Sequence, residues 1–426
     1  MKDLRQSIRE SNGSFQSRSG NQTIRIGFIS TTPPQDPNAL SGMPYSMWHA
    51  LDRQGAELIS LCPVGQNSHG QITGALNSLL RRAGHTVLSK GSRNFLRACF
   101  RGVKILRHRI SAGRDIIASA VRNSQTISSL IAQNDLDILF GICISSPLYR
   151  LETDQPIVYC SDATASLINS TYPEYSRRGV GYRKACDELE RVALSRVRAA
   201  AFPSQRTLDS AVEEYGLSPD KAHLVPFGAN VLPPPGMEIR PDSPNKGNLN
   251  LVLVAADPKR KRLDLCIDVV ETLRQRGWTA TLNYIGPETP RALTSEAVKC
   301  LGPLRLEDPD DRKHHQETLR DSHFMLLPSF GEMFGIAPAE AAHFGRPSLV
   351  SNVGGLPTVV QHNRTGMVLR ENASSPEYAD AVELISNDRE LYMNMSRAAL
   401  QRARKELTWD AWARTILAIL RKVAFL

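Results

Sequence analysis

One pattern limits the fold more than any other: an alternation of strands and helices that stops and then starts again. Short apolar runs such as "TIRIGFIS" (Thr23 to Ser30), "AELISLC", "LDILFG", "QPIVYCS", "RAAAFPS" and "KAHLVPFG" read as strands. Between them lie stretches with helical spacing, among them "MPYSMWHALDRQG", "DIIASAVRNSQTISSLIAQN", "GYRKACDELERVALSRV" and "SQRTLDSAVEEYG". The last starts at Ser204, a plausible N-cap, and stops at Gly216. Strands alternating with helices imply parallel sheets with helices on their faces.

The alternation is interrupted once, by "VLPPPGMEIRPDSPNKGN" (Val231 to Asn248), rich in Pro, Gly and Ser and without periodicity. It then resumes with "LNLVLVAA", "RLDLCIDVVETLRQRG", "TATLNYIG", "PDDRKHHQETLRDS", "HFMLLPS", "APAEAAHFG" and "PSLVS". Two α/β domains of similar size are expected from 426 residues. The expected units are a polar tail over 1–22, a Rossmann-like domain over 23–232, a linker over 233–248, a second Rossmann-like domain over 249–408, and an amphipathic helix over 409–426 that carries Trp409 and Trp412. A cleft between two such domains is a natural ligand site, because loops at the carboxyl ends of the strands converge there.

Charge and cysteine usage narrow the setting. No Asp or Glu lies between Leu58 and Arg114, where ten Lys and Arg fall, so this one stretch carries the whole net charge of +9. Within 81–114, apolar residues interleave with the basic ones. One reading is a peripheral contact with anionic membrane; the other is a helix pair packed on the first domain. The stretch lacks the stacking aromatics of RNA modules, so nucleic acid is not an expected partner. The seven cysteines are scattered, with no CxxC and no zinc spacing. That suits a reducing, cytoplasmic setting, and the polar N-terminus lacks the apolar core of a signal peptide.

The chemistry concentrates in "SFGEMFGIAPAEA" (Ser329 to Ala341). A strand delivers the chain to a loop with Gly331 and Gly335, and Pro338 fits the first turn of a helix starting near Ile336 or Ala337. The free N–H groups of that turn form an anion site. Glu332 and Glu340 flank it, and a carboxylate repels phosphate. They are better suited to accept hydrogen bonds from sugar hydroxyls, each worth ~1.5–3 kcal/mol when charge-assisted. Phosphates need cations, and "ADPKRKRLD" supplies Lys259, Arg260, Lys261 and Arg262 after the first strand of the same domain. Taken alone, that run is as readily a solvated turn. In "SNVGGLPTVV" the pair Gly354–Gly355 suggests another close backbone approach.

Together these residues resemble the group-1 (family 4) retaining glycosyltransferases of GT-B fold. The run from Pro328 to Leu369 is similar to that family's E-x-F-G-x-x-x-x-E motif, G-x-P strand and GG-x-P-E-x-V loop, in the correct order over about forty residues. "DPKRKRLD", "SGMPYSMWHAL" and "AVEEYGLSPDKAHLVPFGAN" resemble its basic loop, its acceptor-domain glycine loop and the segment before its linker. The resemblance implies two Rossmann-like domains with a cleft between them and the final helix crossing back. It implies a nucleotide-diphosphate sugar as donor, a carbohydrate, lipid-linked or small acceptor, and no metal or other cofactor. It implies that Glu340 binds the donor ribose and Glu332 the transferred sugar. Arg260 and Lys261 would neutralise the diphosphate, the amides of Phe334, Gly335 and Ile336 would hold sugar or phosphate, and Gly42 would approach from the other domain. Gly354 and Gly355 would frame the donor.

The chain departs from the pattern twice. Thr358 stands where the GG-x-P-E loop usually has Glu, and Asp162 lies nearest the position at which many members carry a histidine. Asp162 would either orient an acceptor hydroxyl or cap a helix. "DLD" (Asp135 to Asp137) and "DPD" (Asp308 to Asp310) look like metal motifs of another glycosyltransferase fold, but precede a strand and a helix that explain them. His314 and His315 lie in a polar helical stretch and are expected to be exposed. Two alternatives stay open: another GT-B enzyme, such as a nucleotide-sugar epimerase or a phosphorylase, or a non-catalytic sugar-nucleotide-binding subunit.

Overall fold

The computed structural model describes residues 24–37, 39–62, 113–239 and 242–425. The basic segment 81–114 therefore lies almost entirely outside the described residues, as does the tail 1–22. The described chain forms two sheets. The first contains β1 (Arg25–Ile29), β2 (Glu57–Leu61), β3 (Ile138–Ile142), β4 (Ile157–Cys160), β5 (Ala199–Phe202) and β6 (Ala222–Leu224), in the order β2-β1-β3-β4-β5-β6. The second contains β7 (Leu249–Val254), β8 (Ala280–Ile285), β9 (Val298–Cys300), β10 (Phe324–Leu327), β11 (Ser348–Ser351) and β12 (Gly366–Leu369), in the order β12-β11-β10-β7-β8-β9. Every pairing within each sheet is parallel. Strands such as "ILFGI" and "FMLL" are buried at every position, as expected for a sheet covered on both faces.

Strand order places the candidate site. In the second sheet the direction of winding reverses between β7 and β10, and in the first between β1 and β3. At such switch points the loops leaving two adjacent strands diverge and open a crevice. The basic loop follows β7 and the acid loop follows β10, so topology alone brings them together.

The final helix, Trp409–Ala424, closes the molecule on the first domain. Its apolar face (Trp409, Trp412, Ala413, Ile416, Leu417 and Leu420) is buried in one cluster with Ile26, Phe28, Phe140 and Val158 of the first sheet. The Trp412 ring meets Phe140 edge-on at 5.8 Å, and Trp409 stacks on Phe227 at 5.5 Å. Thr408 caps this helix by accepting from Ala411 N at 3.0 Å. Two helices the spacing did not single out, Ser375–Ser386 and Arg389–Glu406, pack in the second half. His314 is exposed as expected, but His315 is buried. It lies one turn before the buried Leu319, so the apolar side of this mostly polar helix takes it inward.

Candidate active site

The acid loop is tied to the basic loop through one carboxylate oxygen and two backbone carbonyls. Glu332 Oε1 accepts from Arg260 Nη1 at 2.8 Å and from Ser329 Oγ at 3.3 Å, and lies 3.5 Å from Lys261 Nζ. Arg260 Nη1 also donates to Gly331 O at 2.6 Å, and Phe330 N returns a bond to Arg260 O at 2.9 Å. Lys261 is held from behind by Val254 O at 3.2 Å. These side chains are largely buried, so the attraction is screened less than in a surface pair. Arg260 Nε also lies 3.7 Å from Asp257 Oδ2, so the two cations here face two carboxylates. The Glu332 carboxylate's contacts with Arg260, Ser329 and Lys261 all fall on Oε1.

The turn into the next helix depends on glycine. Gly335 has φ 97°, a left-handed conformation, and no side chain caps the helix Ile336–His343 that follows. Its first N–H groups thus take no bond from an N-cap side chain. Gly354 (φ 51°) and Gly355 pack against the acid loop itself. A Cβ at Gly354 would lie 1.6 Å from Glu332 O, and one at Gly355 would lie 2.3 Å from Met333 O. Gly355 N then donates to Glu332 O at 3.2 Å. The close approach read from this pair thus includes the protein's own backbone, and it fixes where Glu332 sits.

Glu340 lies one turn into the helix and is 5% exposed. Its Oε1 accepts from Val231 N at 3.2 Å, and the backbone of Asn230 also hydrogen-bonds it. Burial raises its pKa to about 7, against the opposing pull of these N–H groups and of Lys261. The second carboxylate is thus adjacent to the chain that links the two domains.

The opposite wall comes from the first domain. Gly42 (φ 74°) opens the helix Met43–Arg53, and a Cβ there would lie 3.0 Å from Pro37 O. Asn230 Oδ1 accepts from Ser46 Oγ at 3.2 Å and Trp409 Nε1 at 3.0 Å. Asp162 follows β4. Its carboxylate accepts from Cys143 Sγ at 3.8 Å, its carbonyl accepts from Thr207 Oγ1 at 2.7 Å, and burial pushes its pKa upward. Asp162 does not cap the helix Ala165–Thr171; Thr164 does, accepting from Leu167 N. Cys143, at the end of β3, holds φ 51°, a strained value for a side-chain-bearing residue.

The walls meet. The Arg260 guanidinium lies 5.7 Å from the centre of the Tyr172 ring. Burial raises the pKa of the Tyr172 hydroxyl, and the charges of Glu332, Arg260 and Asp162 are near enough to act on it. A Cβ on Gly331 would lie 2.3 Å from Thr171 Cγ2. Met333 packs with Ala163 and Leu167, and the Phe334 ring meets Phe227 at 5.3 Å. Thr358 Oγ1 accepts from Gln205 N at 3.0 Å, so the residue that departs from the motif bonds the first turn of a first-domain helix.

Tyr172, Asn230 and Ser329 were not found by motif reading. Tyr172 and Asn230 carry no local signal because their partners come from other segments, whereas Ser329 bonds Glu332 three residues on in the same loop. The metal-like pairs have other employment: Asp137 accepts from Arg25 N at 2.8 Å, Asp135 pairs with Arg25, and Asp308 caps its helix. Among the described residues, no three His, Cys, Asp or Glu side chains gather as a metal set. No described helix is long and apolar enough to cross a membrane.

Residues 249–388 match the family described as glycosyl transferases group 1. The D-inositol 3-phosphate glycosyltransferase of Corynebacterium glutamicum (strain R) is 26% identical over 275 residues, 61% of this chain. The match spans 64% of that relative's length. Among solved structures, the sucrose-phosphate synthase of Thermosynechococcus elongatus superposes with a TM-score of 0.61 at 14% identity, covering 94% of this chain and 98% of its own. WaaG, a glycosyltransferase involved in lipopolysaccharide biosynthesis, gives 0.56 at 15%, covering 93% and 99%. These likenesses are likenesses of fold.

Proposed function

We propose, for a chain whose residues 249–388 belong to the group 1 glycosyl transferases and whose fold is GT-B, that it is a metal-independent, retaining hexosyltransferase using a nucleotide-diphosphate sugar. The observation that carries this is the convergence of Arg260 and Lys261 on one oxygen of Glu332, beside the buried Glu340. The ribose diol of the donor hydrogen-bonds Glu340, and the transferred sugar reaches Glu332. The diphosphate lies against Arg260, Lys261 and the amides of Phe334, Gly335 and Ile336. Gly42 faces it from the first domain, and Gly354 and Gly355 hold the acid loop at the donor.

Transfer breaks the bond between the anomeric carbon and the diphosphate oxygen, and the electron pair leaves with the phosphate. The acceptor hydroxyl bonds that carbon from the same face, and its proton passes to the departing phosphate oxygen. Arg260 and Lys261 stabilise the charge as it grows, a role that fixed cations can fill in place of a metal. Asp162 orients the acceptor hydroxyl. The acceptor belongs to the hydroxyl-bearing carbohydrates, free or lipid-linked. D-inositol 3-phosphate, named for the relatives, belongs in the acceptor screen.

The test is a screen of nucleotide sugars by thermal shift and hydrolysis, followed by Glu332→Ala and Glu340→Ala. One donor should stabilise the fold, and each variant should lose about 10²-fold or more in turnover. A protein that no nucleotide sugar stabilises at millimolar concentration, or whose variants turn over like wild type, contradicts the proposal.

A further inference from the structure

The described chain passes between the domains twice, and the two crossings touch. The first runs through Phe227–Val231 and the second through Leu407–Trp409. Ala229 N donates to Leu407 O at 3.1 Å. A Cβ on Gly228 would lie 2.2 Å from Trp409 N, so only glycine lets the two backbones come this close. The helix Ile336–His343 grips both crossings. Glu340 Oε1 accepts from Val231 N at 3.2 Å, and three residues on, His343 Nε2 lies 3.1 Å from Leu407 O. Residues three apart share a helix face. A carbonyl only accepts, so Nε2 carries the hydrogen. His343 is buried, and this carbonyl is its hydrogen-bond partner.

We propose that this helix is the strut that sets the angle between the domains, with His343 as a positioning residue for transfer and Glu340 as the point where donor occupancy is felt at the hinge. The second clause rests on the proposal that Glu340 holds the donor ribose. The logic is geometric. A ligand hydroxyl that engages Glu340 acts on a carboxylate already bonded to the first crossing. The short helix then transmits any shift to Leu407 through His343. An apolar link runs beside this polar one, since Phe334 meets Phe227 of the first crossing and Phe227 stacks on Trp409 of the second.

His343→Leu tests this without orphaning a carbonyl, because Leu407 O keeps its bond from Ala229 N. His343→Gln restores an N–H at a similar reach. In the ligand-free protein, amide exchange in 227–231 and 407–409 should be at least about fivefold faster in His343→Leu and normal in His343→Gln, with β7 and β8 unchanged in both. In turnover, His343→Leu should lose about tenfold or more in kcat while the donor KM stays within about threefold, and His343→Gln should recover. Wild-type exchange and kcat in His343→Leu would overturn the clamp, as would a His343→Gln that fails like His343→Leu. The exchange arm decides the clamp without any ligand. Failure of the wild type to bind any nucleotide sugar would instead overturn the functional proposal, and with it the coupling to donor.

Discussion

At the scale of single residues, the site joins charges that are costly to bury. Glu340 lies among apolar neighbours, and burial lifts its folded-state pKa from 4.5 to about 7. The unfolded chain therefore gives up this proton first. The stability linked to it is fully present below about pH 4.5, declines between there and pH 7, and stays lost above. A non-titrating Glu340→Gln keeps an oxygen for Val231 N and avoids the loss. Its melting temperature relative to wild type should rise between pH 5 and pH 8, while donor affinity falls. Thermal melts at both pH values check this, and a constant difference would contradict the assigned burial. Such a pairing of gained stability with lost function is expected where a fold tolerates strain for a ligand.

Much of this was legible at the level of elements, and the exceptions have a common cause. The helix after the acid loop starts at Ile336, where the glycine and proline spacing puts it, and Ser204 and Asp308 cap helices as their positions suggest. Those signals are local. The bond from Gln205 N to Thr358 joins residues 153 apart, and that from Val231 N to Glu340 joins residues 109 apart, so only the folded arrangement reveals them. His315 was misjudged because its sequence neighbours are polar, while burial is decided by the helix face it shares with Leu319. The helix after Ser374 did carry a readable signal, a capping box with Glu377, that periodicity alone passed over. The glycine pair gives a prediction at this scale. Gly354→Ala would place a methyl carbon 1.6 Å from Glu332 O at φ 51°. The loop must move, at a cost of about 1–3 kcal/mol in stability. Turnover should fall about 10²-fold if Glu332, the displaced group, holds the transferred sugar as proposed. Denaturation and steady-state kinetics measure both, and a Gly354→Ala protein with unchanged kcat would contradict the role given to the acid loop.

For the whole molecule, the decisive feature is that two parallel sheets, each with a switch point, are joined by two touching crossings of the described chain. The first domain is completed by a helix from the far end of the sequence, whose Trp409 and Trp412 sit in the same buried cluster as β1 and β3. Phe334, from the acid loop, joins that cluster, so the acid loop and the first-domain core pack together. The most direct test is a crystal structure with the nucleotide sugar that gives the largest thermal shift. Its ribose hydroxyls should lie within hydrogen-bonding distance of Glu340 and its diphosphate against Arg260 and Lys261. A nucleotide bound elsewhere, with Glu340, Glu332, Arg260 and Lys261 still paired only among themselves and with neighbouring protein groups, would contradict the proposed site.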